Sequence, residues 1–246
     1  MVNGMEYKEI SWQGFDGIEF EFLGSSATLI KPRVAPCGKW ALKTEYFGAF
    51  PAAEIELLNR GWHIAYQKND NRWAGERDIA RKADFLRFVS DEFSLDTKAT
   101  LVGMSCGGMY AVLLAARVPE LVDVIYLDAP VLNLLSCPCD MGVAKSGLYD
   151  EFYRCTGLTK SEMLSYRKHP IDYAHVLLEN DLPIVLVAGD SDSVVPYVEN
   201  GALLARYYEE RGGKMSLFVK PRCDHHPHGF DDGRIVADEI LKWSGR

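Results

Sequence analysis

The chain has 246 residues, of which 48% are hydrophobic and 25% are charged, and its formal net charge at pH 7 is −8. This length suits one α/β domain that buries a substantial core. The acidic balance argues against a nucleic-acid partner, because binding to a phosphate backbone needs a concentrated positive field. The chain also lacks an apolar run long enough to span a bilayer, so we expect no membrane partner.

The N-terminal segment and the cysteines indicate the cellular compartment. Residues 1–10 lack the basic-then-apolar layout of a signal peptide, which favours the cytoplasm. Six cysteines are scattered along the chain, and we interpret them as reduced thiols. Cys137 and Cys139 are too close together for the usual zinc-knuckle spacing, so we interpret them as two thiols of a loop.

Segments with strand character and segments with helix character alternate along most of the chain. The predicted strands are short apolar runs, and the predicted helices show helical spacing of apolar residues or carry Pro, Gly or Asp at their ends. In chain order we predict strands at 18–22 and 27–30, a helix at 51–60, a strand at 62–67, a helix at 76–93, a strand at 99–102, a helix at 106–117, strands at 122–127 and 183–188, a helix at 198–211, a strand at 215–219 and a closing helix from 231 or 232 to 243. This alternation predicts a three-layer α/β fold with a mostly parallel central sheet.

The segment 132–169 interrupts the alternation of strands and helices. Long insertions in compact domains are often lids or binding elements. We therefore predict a single domain over residues 1–246, in which 132–169 forms a small cap over the active site.

The sequence Gly-Met-Ser-Cys-Gly-Gly at 103–108 lies between a predicted strand and a predicted helix. Gly-x-Ser-x-Gly in this setting is typical of a nucleophile elbow, in which a strained turn lifts the serine above the strand end. Ser105 is the candidate nucleophile, and the backbone N–H of Cys106 is a candidate oxyanion donor at a helix N-terminus. The competing interpretations are an idle serine in a glycine-rich turn and a nucleophilic Cys106 thiol, which we expect to point away from the tip of the elbow.

A serine nucleophile needs a base, and the base needs an orienting carboxylate. Two candidate acids, Asp190 and Asp192, follow the predicted strand 183–188. The candidate bases are three histidines that follow the predicted strand 215–219, namely His225, His226 and His228. The order Ser, then Asp, then His along the chain is the one that this type of fold requires.

The same histidines, with Cys223 and Asp224, also form a dense cluster of potential metal ligands. Adjacent histidines in one loop rarely converge on one ion, and the sequence shows no second ligand cluster. We therefore expect neither a metal nor another cofactor.

With its elbow and the Gly-x-x-Asp-x-x-Val-Pro pattern at 189–196, the whole chain resembles the α/β-hydrolase family, including an uncharacterised bacterial branch of esterase type. The resemblance implies Asp192 as the acid, with Asp190 as the alternative, and His225 as the base, with His226 and His228 as alternatives. The chain departs from the family at 222–224, where Arg-Cys-Asp replaces the usual glycine-containing turn. The family's second oxyanion donor comes from the loop after the third strand, which implies Lys39 or Trp40.

The predicted substrate is a small molecule with an ester bond, which the resemblance favours, of the small, carbohydrate or aryl type. We predict that Trp40, Trp73 and Met104 contact it. We also predict an aromatic platform at the mouth of the site, formed by Trp40, Tyr46, Phe47 and Trp73. The alternative is that these aromatic residues pack in the core. A peptidase or amidase, an acyltransferase and a non-catalytic binding protein of the same fold remain the alternative functions.

Overall fold

A computed structural model of the protein describes residues 5–244. The first four residues of the N-terminal segment and the two C-terminal residues of the predicted domain lie outside the described residues. Strands form one sheet in the order β1-β2-β3-β5-β4-β6-β7-β8-β9. Their bounds are β1 Lys8–Trp12, β2 Phe15–Phe22, β3 Ser25–Ile30, β4 Trp40–Lys43, β5 His63–Gln67, β6 Ala99–Met104, β7 Val122–Asp128, β8 Ile184–Gly189 and β9 Met215–Lys220.

The first three strands pair antiparallel, and β4 to β9 pair parallel with one another. The carboxyl ends of β4, β6, β7, β8 and β9 therefore meet at one edge of the sheet. We call this the carboxyl edge. Loops at such an edge form the ligand crevice in open parallel sheets.

Helices cover both faces of the sheet. The helices are α1 Ala52–Asn59, α2 Glu76–Phe93, α3 Cys106–Arg117, α4 Tyr149–Thr156, α5 Lys160–Met163, α6 Ala174–Glu179, α7 Gly201–Glu210 and α8 Arg234–Trp243. One hydrophobic core lies between the sheet and α2, α3 and α7, and a second lies between the sheet and α1 and α8. The predicted three-layer α/β fold is confirmed, because helices cover both faces of the sheet. Apolar strands that are buried on both faces need such cover.

Strand β4 is absent from the sequence-based prediction. All four of its residues are buried, but the strand is short and ends in a lysine. Lys43 forms an ion pair with Glu54 of α1, and the two side chains are 1% and 3% exposed. Because β4 follows the loop at 31–39, this loop lies at the opposite end of the sheet from the carboxyl edge, and residues 44–50 reach the carboxyl edge instead.

The segment 132–169 contains α4 and α5 and connects β7 to the region before β8. Its Phe152 is buried against Trp73, with ring centroids 5.3 Å apart in an edge-to-face arrangement. The six cysteines are free, and Cys137 and Cys139 are buried. Over the described part of the chain, no helix has both the length and the apolar character that crossing a membrane demands.

The ion pair between Lys43 and Glu54 provides a test of this arrangement. Lys43 Nζ also lies 3.3 Å from the Ala49 carbonyl oxygen and 3.2 Å from Met104 Sδ, so it connects β4 to the loop that follows. Replacing Glu54 with Leu leaves a buried ammonium without its partner, and we expect the free energy of unfolding to fall by about 3–5 kcal/mol. Denaturant unfolding measures this change.

The double variant Lys43→Met/Glu54→Leu is the matched control. It removes both charges, so we expect it to regain most of the lost stability, to within about 1–2 kcal/mol of the parent. A Glu54→Leu single variant as stable as the parent would show that the buried lysine does not depend on this carboxylate.

Candidate active site

Ser105 occupies the turn between β6 and α3 in a strained backbone conformation, with φ 51° and ψ −121°. Backbone hydrogen bonds hold this conformation. The Ser105 N–H donates to the Asp128 carbonyl oxygen at 2.9 Å, and the Ser105 carbonyl accepts from Gly108 at 2.9 Å and Val131 at 3.0 Å. A non-glycine residue at positive φ costs free energy, so such an arrangement persists only where the surroundings enforce it.

The glycines around Ser105 permit close contacts between β6, α3 and β7. A Cβ on Gly103 would lie 2.6 Å from the Gly107 carbonyl oxygen, and one on Gly108 would lie 2.3 Å from Pro130 Cβ. A Cβ on Gly107 would meet Thr44 Oγ1 at 3.2 Å, which is a milder clash. The sequence therefore needs glycine most strictly at 103 and 108, which lets the elbow form.

Ser105, His225 and Asp192 form a continuous hydrogen-bond chain. His225 Nε2 lies 3.1 Å from Ser105 Oγ, and His225 Nδ1 lies 2.8 Å from Asp192 Oδ2. An ionised carboxylate only accepts hydrogen bonds, so His225 Nδ1 carries the proton and its Nε2 presents a lone pair to the serine hydroxyl. The other Asp192 oxygen accepts from the backbone N–H groups of Val194 at 2.9 Å and Val195 at 2.8 Å, which orient the carboxylate.

The other candidate acid and bases have different partners. Asp190 accepts hydrogen bonds from Ser191 Oγ and from the Arg222 N–H, both at 2.7 Å, and so joins the β8 loop to the β9 loop. His228 is buried, and its Nδ1 lies 2.8 Å from Asp128 Oδ1. His226 is exposed and stacks on Phe50, with ring centroids 5.4 Å apart.

Asp224 explains how the turn before His225 forms without the family's glycines. Its Oδ1 accepts hydrogen bonds from the Ser193 N–H and the His225 N–H, both at 2.8 Å. These backbone hydrogen bonds lower the pKa of Asp224. A charged carboxylate thus connects the two loops that carry Asp192 and His225.

A cavity of about 320 Å³ opens at the carboxyl edge beside Ser105. Its wall is mostly apolar and aromatic, with one guanidinium and three imidazoles. The lining residues are Tyr46, Ala49, Phe50, Arg72, Met104, Ser105, Ser146, Leu148, Val194, His225, His226 and His228. Met104 thus lies where the sequence analysis predicts it, and Ser146 and Leu148 come from the predicted cap segment.

The structure does not bring Lys39 or Trp40 to this cavity. Trp40 begins β4, so it lies at the opposite end of the sheet from Ser105. Its side chain is fully buried, and its Nε1 donates to the Asp96 carbonyl oxygen at 2.7 Å. Lys39 pairs with Asp96 and Asp123 at 3.3 Å each. The prediction that one of these residues supplies an oxyanion donor is wrong, because it overlooks β4.

Two other aromatic residues of the predicted platform also pack away from the cavity beside Ser105. Trp73 is buried against Phe152, as described above, and lines a separate cavity. Phe47 stacks between Trp12 and Tyr66, with centroid distances of 5.2 and 5.0 Å. Of the four platform residues, Tyr46 lines the cavity.

Tyr46 is a site residue that the sequence analysis places only in the aromatic platform. It follows β4 with φ 55°, and its hydroxyl interacts electrostatically with the Cys106 thiol and the Arg72 guanidinium. Burial raises the pKa of Tyr46, so its hydroxyl stays protonated at neutral pH and can donate a hydrogen bond. Recognition of β4 as a strand would have identified its position, since it lies three residues beyond the strand end.

Burial argues against the alternative in which Cys106 is the nucleophile. It raises the pKa of the Cys106 thiol to about 11, which outweighs the effect of the helix N-terminus. The thiolate is the nucleophilic form of cysteine, so this side chain is unreactive at neutral pH. Among the described residues, the group with metal-ligating geometry consists of His225, His226 and His228, whose ligand atoms all lie within 4.8 Å of one another.

The chain matches one protein family and is similar in fold to known esterases. Residues 60–246 match the model of the prolyl oligopeptidase family. The chain is similar in fold to an acetyl xylan esterase from Thermoanaerobacterium, with 16% identity, a TM-score of 0.68 and coverage of 100% of this chain and 89% of that one. An esterase from Pyrococcus furiosus matches at 15% identity and a TM-score of 0.63, with coverage of 98% and 92%.

Peptidases match as well. An acylaminoacyl peptidase from Pyrococcus horikoshii has 14% identity and a TM-score of 0.65, and the match covers 98% of this chain and 40% of that one. The chain spans 35–40% of the length of the first peptidase and puromycin-hydrolase structures that it matches. At these identities the structural similarity establishes the fold alone.

The two candidate acids can be separated by a matched pair of substitutions. In Asp192→Asn the amide no longer selects the imidazole tautomer that His225 needs, and we expect kcat to fall by about 10⁴-fold. In Asp190→Asn only a bracing interaction in the turn changes, so we expect kcat to stay within about threefold of the parent. Steady-state kinetics on an activated ester measure both, and a larger loss in Asp190→Asn than in Asp192→Asn would reverse the assignment.

Proposed function

Because the chain belongs to the prolyl oligopeptidase family of serine hydrolases, we propose that it hydrolyses esters with a small acyl group through Ser105, His225 and Asp192. One observation carries this proposal. The hydroxyl, imidazole and carboxylate are connected by hydrogen bonds of 3.1 and 2.8 Å, and the hydroxyl opens onto a cavity. Such a chain provides a nucleophile, a base and an orienting group in contact.

The reaction proceeds through an acyl-enzyme. His225 Nε2 takes the proton of Ser105 Oγ, which attacks the ester carbonyl carbon and forms a tetrahedral oxyanion. The imidazolium then gives this proton to the leaving alcohol as the ester bond breaks. A water molecule, deprotonated by His225 in the same way, releases the acid and regenerates the serine. Asp192 stabilises the imidazolium in both steps.

Two donors stabilise the oxyanion in this proposal. The Cys106 N–H begins α3 directly after the nucleophile, where the helix N-terminus favours negative charge. The second donor is the Tyr46 hydroxyl, which lines the cavity from the loop after β4 and takes the role predicted for Lys39 or Trp40. The Arg72 guanidinium lines the same cavity, and its positive charge makes this hydroxyl a stronger hydrogen-bond donor.

The preference for esters is supported by the size and lining of the cavity. A volume of about 320 Å³ fits a compact acyl group and alcohol. Its wall contains apolar groups such as Phe50, Met104, Leu148 and Val194. Arg72, the guanidinium in the wall, forms an ion pair with Glu151 at 2.8 Å, which favours a neutral over an anionic substrate. In this proposal, residues 132–169 form the cap that closes one side.

A peptidase or amidase is the second candidate. The family match and the similarity in fold to an acylaminoacyl peptidase and to puromycin hydrolase favour it. The same triad can cleave an amide, because His225 can protonate a leaving amine as it does an alcohol. The two candidates differ in whether the preferred substrate is an ester or an amide.

Ser105→Ala tests the nucleophile together with the type of substrate. We expect the parent to hydrolyse p-nitrophenyl acetate and butyrate, with kcat/KM at least about tenfold above that for the octanoate or for aminoacyl p-nitroanilides. Ser105→Ala removes the nucleophile, so we expect kcat to fall by about 10⁴-fold or more, with an unchanged melting temperature.

Ser146→Ala is the matched control, because Ser146 lines the same cavity but its hydroxyl donates to Asp140 Oδ1 at 2.7 Å rather than to an imidazole. It should retain turnover within about tenfold of the parent. Parent-like turnover in Ser105→Ala would contradict the mechanism, and faster cleavage of anilides than of esters would contradict the proposed substrate.

Tyr46→Phe tests the second oxyanion donor. Loss of one donor that acts only in the transition state should lower kcat by about 10²-fold and leave KM within a few-fold. Tyr208→Phe is the matched control, because Tyr208 lies in α7 outside the cavity, and its buried hydroxyl donates to the Leu182 carbonyl oxygen. Equal effects of the two substitutions on kcat would remove Tyr46 from the oxyanion site.

A further inference from the structure

The three histidines of the His-His-Pro-His turn form a compact cluster in the cavity wall. The ring centroids of His225, His226 and His228 lie 4.8, 4.8 and 4.9 Å apart. Their potential ligand atoms all lie within 4.8 Å of one another. The turn thus brings the three rings together, which the sequence analysis did not expect of histidines so close in one loop.

Two of the imidazoles are already oriented as metal ligands usually are. His225 Nδ1 and His228 Nδ1 each lie 2.8 Å from a buried carboxylate oxygen, of Asp192 and Asp128 respectively. The carboxylates accept, so both Nδ1 atoms carry protons and both Nε2 atoms present lone pairs. A carboxylate that holds the second nitrogen is the common support of a metal-binding histidine, and it fixes both the tautomer and the ring orientation.

His226 supplies the movable third group. It is exposed, and its ring centroid lies 4.8 Å from that of His225 and 4.9 Å from that of His228. Tetrahedral zinc with Zn–N bonds of about 2.0–2.1 Å places its nitrogen ligands about 3.3 Å apart. The distances between the ligand atoms must therefore shorten by at most about 1.5 Å. His226 can move by changing its rotamer, and any shortening between His225 and His228 needs a small shift of the two rings on their carboxylate partners.

We propose that His225, His226 and His228 form an inhibitory binding site for a divalent transition-metal cation such as Zn²⁺. The inhibition, though not the binding, rests on the proposed function. The cation takes the lone pair of His225 Nε2 that otherwise accepts the Ser105 proton, so the serine loses its base while the ion is bound. Water or the Ser105 hydroxyl completes the coordination.

Inhibition is tested with the full chain and Zn²⁺ alone. Initial rates of ester hydrolysis are measured from zero to about 0.1 mM Zn²⁺, each divided by the rate of the same variant in EDTA. We expect at least about tenfold inhibition of the parent, reversed by EDTA, and no effect of Mg²⁺, which prefers oxygen ligands. His226→Ala should raise the half-inhibitory Zn²⁺ concentration by at least about tenfold.

His175→Ala is the control, because His175 is an exposed histidine of α6 whose Nδ1 bonds to the Asp172 carbonyl oxygen. It should remain as sensitive to Zn²⁺ as the parent. Undiminished inhibition in His226→Ala would overturn the proposal. If Cys223→Ser then abolished the inhibition, the effect would be assigned to that cysteine.

Calorimetry separates the metal site from the hydrolase activity. Ser105→Ala retains all three imidazoles, and we expect it to bind one Zn²⁺, with affinity reduced at least about tenfold when His226→Ala is added. Absence of binding in Ser105→Ala overturns the site. If the parent shows no ester or anilide turnover in EDTA, the proposed function fails, and the calorimetric result still decides whether the site exists.

Discussion

The arrangement of the site depends on the hydrogen bonds that Asp128 accepts at the end of β7. Its backbone carbonyl holds the strained Ser105 N–H at 2.9 Å, and its carboxylate accepts from His228 Nδ1 at 2.8 Å and from the Tyr126 hydroxyl at 3.1 Å. The same carboxylate accepts a short hydrogen bond from the Gly229 N–H. One residue thus connects the elbow after β6 to the histidine loop after β9.

This connection matters because the two ends of the proposed proton path come from distant parts of the sequence. Ser105 and His225 are 120 residues apart, and Asp192 follows a third strand. Parallel pairing brings the carboxyl ends of β6, β8 and β9 to one edge, and side-chain hydrogen bonds then set the positions to within hydrogen-bond distance. Asp224 connects the β8 loop to the β9 loop by hydrogen bonds, as Asp128 connects the elbow to the histidine loop.

Much of the fold could be predicted because its strands are apolar and its helices amphipathic. The elbow could be located because Gly-x-Ser-x-Gly is a visible pattern in the sequence, and at Gly103 a close contact does exclude a side chain. Strand β4 could not be found in this way, since its buried Lys43 resembles a surface residue until its partner Glu54 is known. Because the sequence analysis missed β4, it placed the expected oxyanion donor at the wrong end of the sheet.

The individual roles of the three histidines depend on long-range partners that no local pattern encodes. His225 is distinguished from His228 by which carboxylate each one meets, and both carboxylates belong to other loops. The central claim concerns Ser105, and mass spectrometry after reaction with a fluorophosphonate tests it most directly. We expect a single adduct on the tryptic peptide 99–117, at Ser105, the one serine of that peptide. An adduct on another residue, or none on a folded protein, would contradict the assignment of the nucleophile.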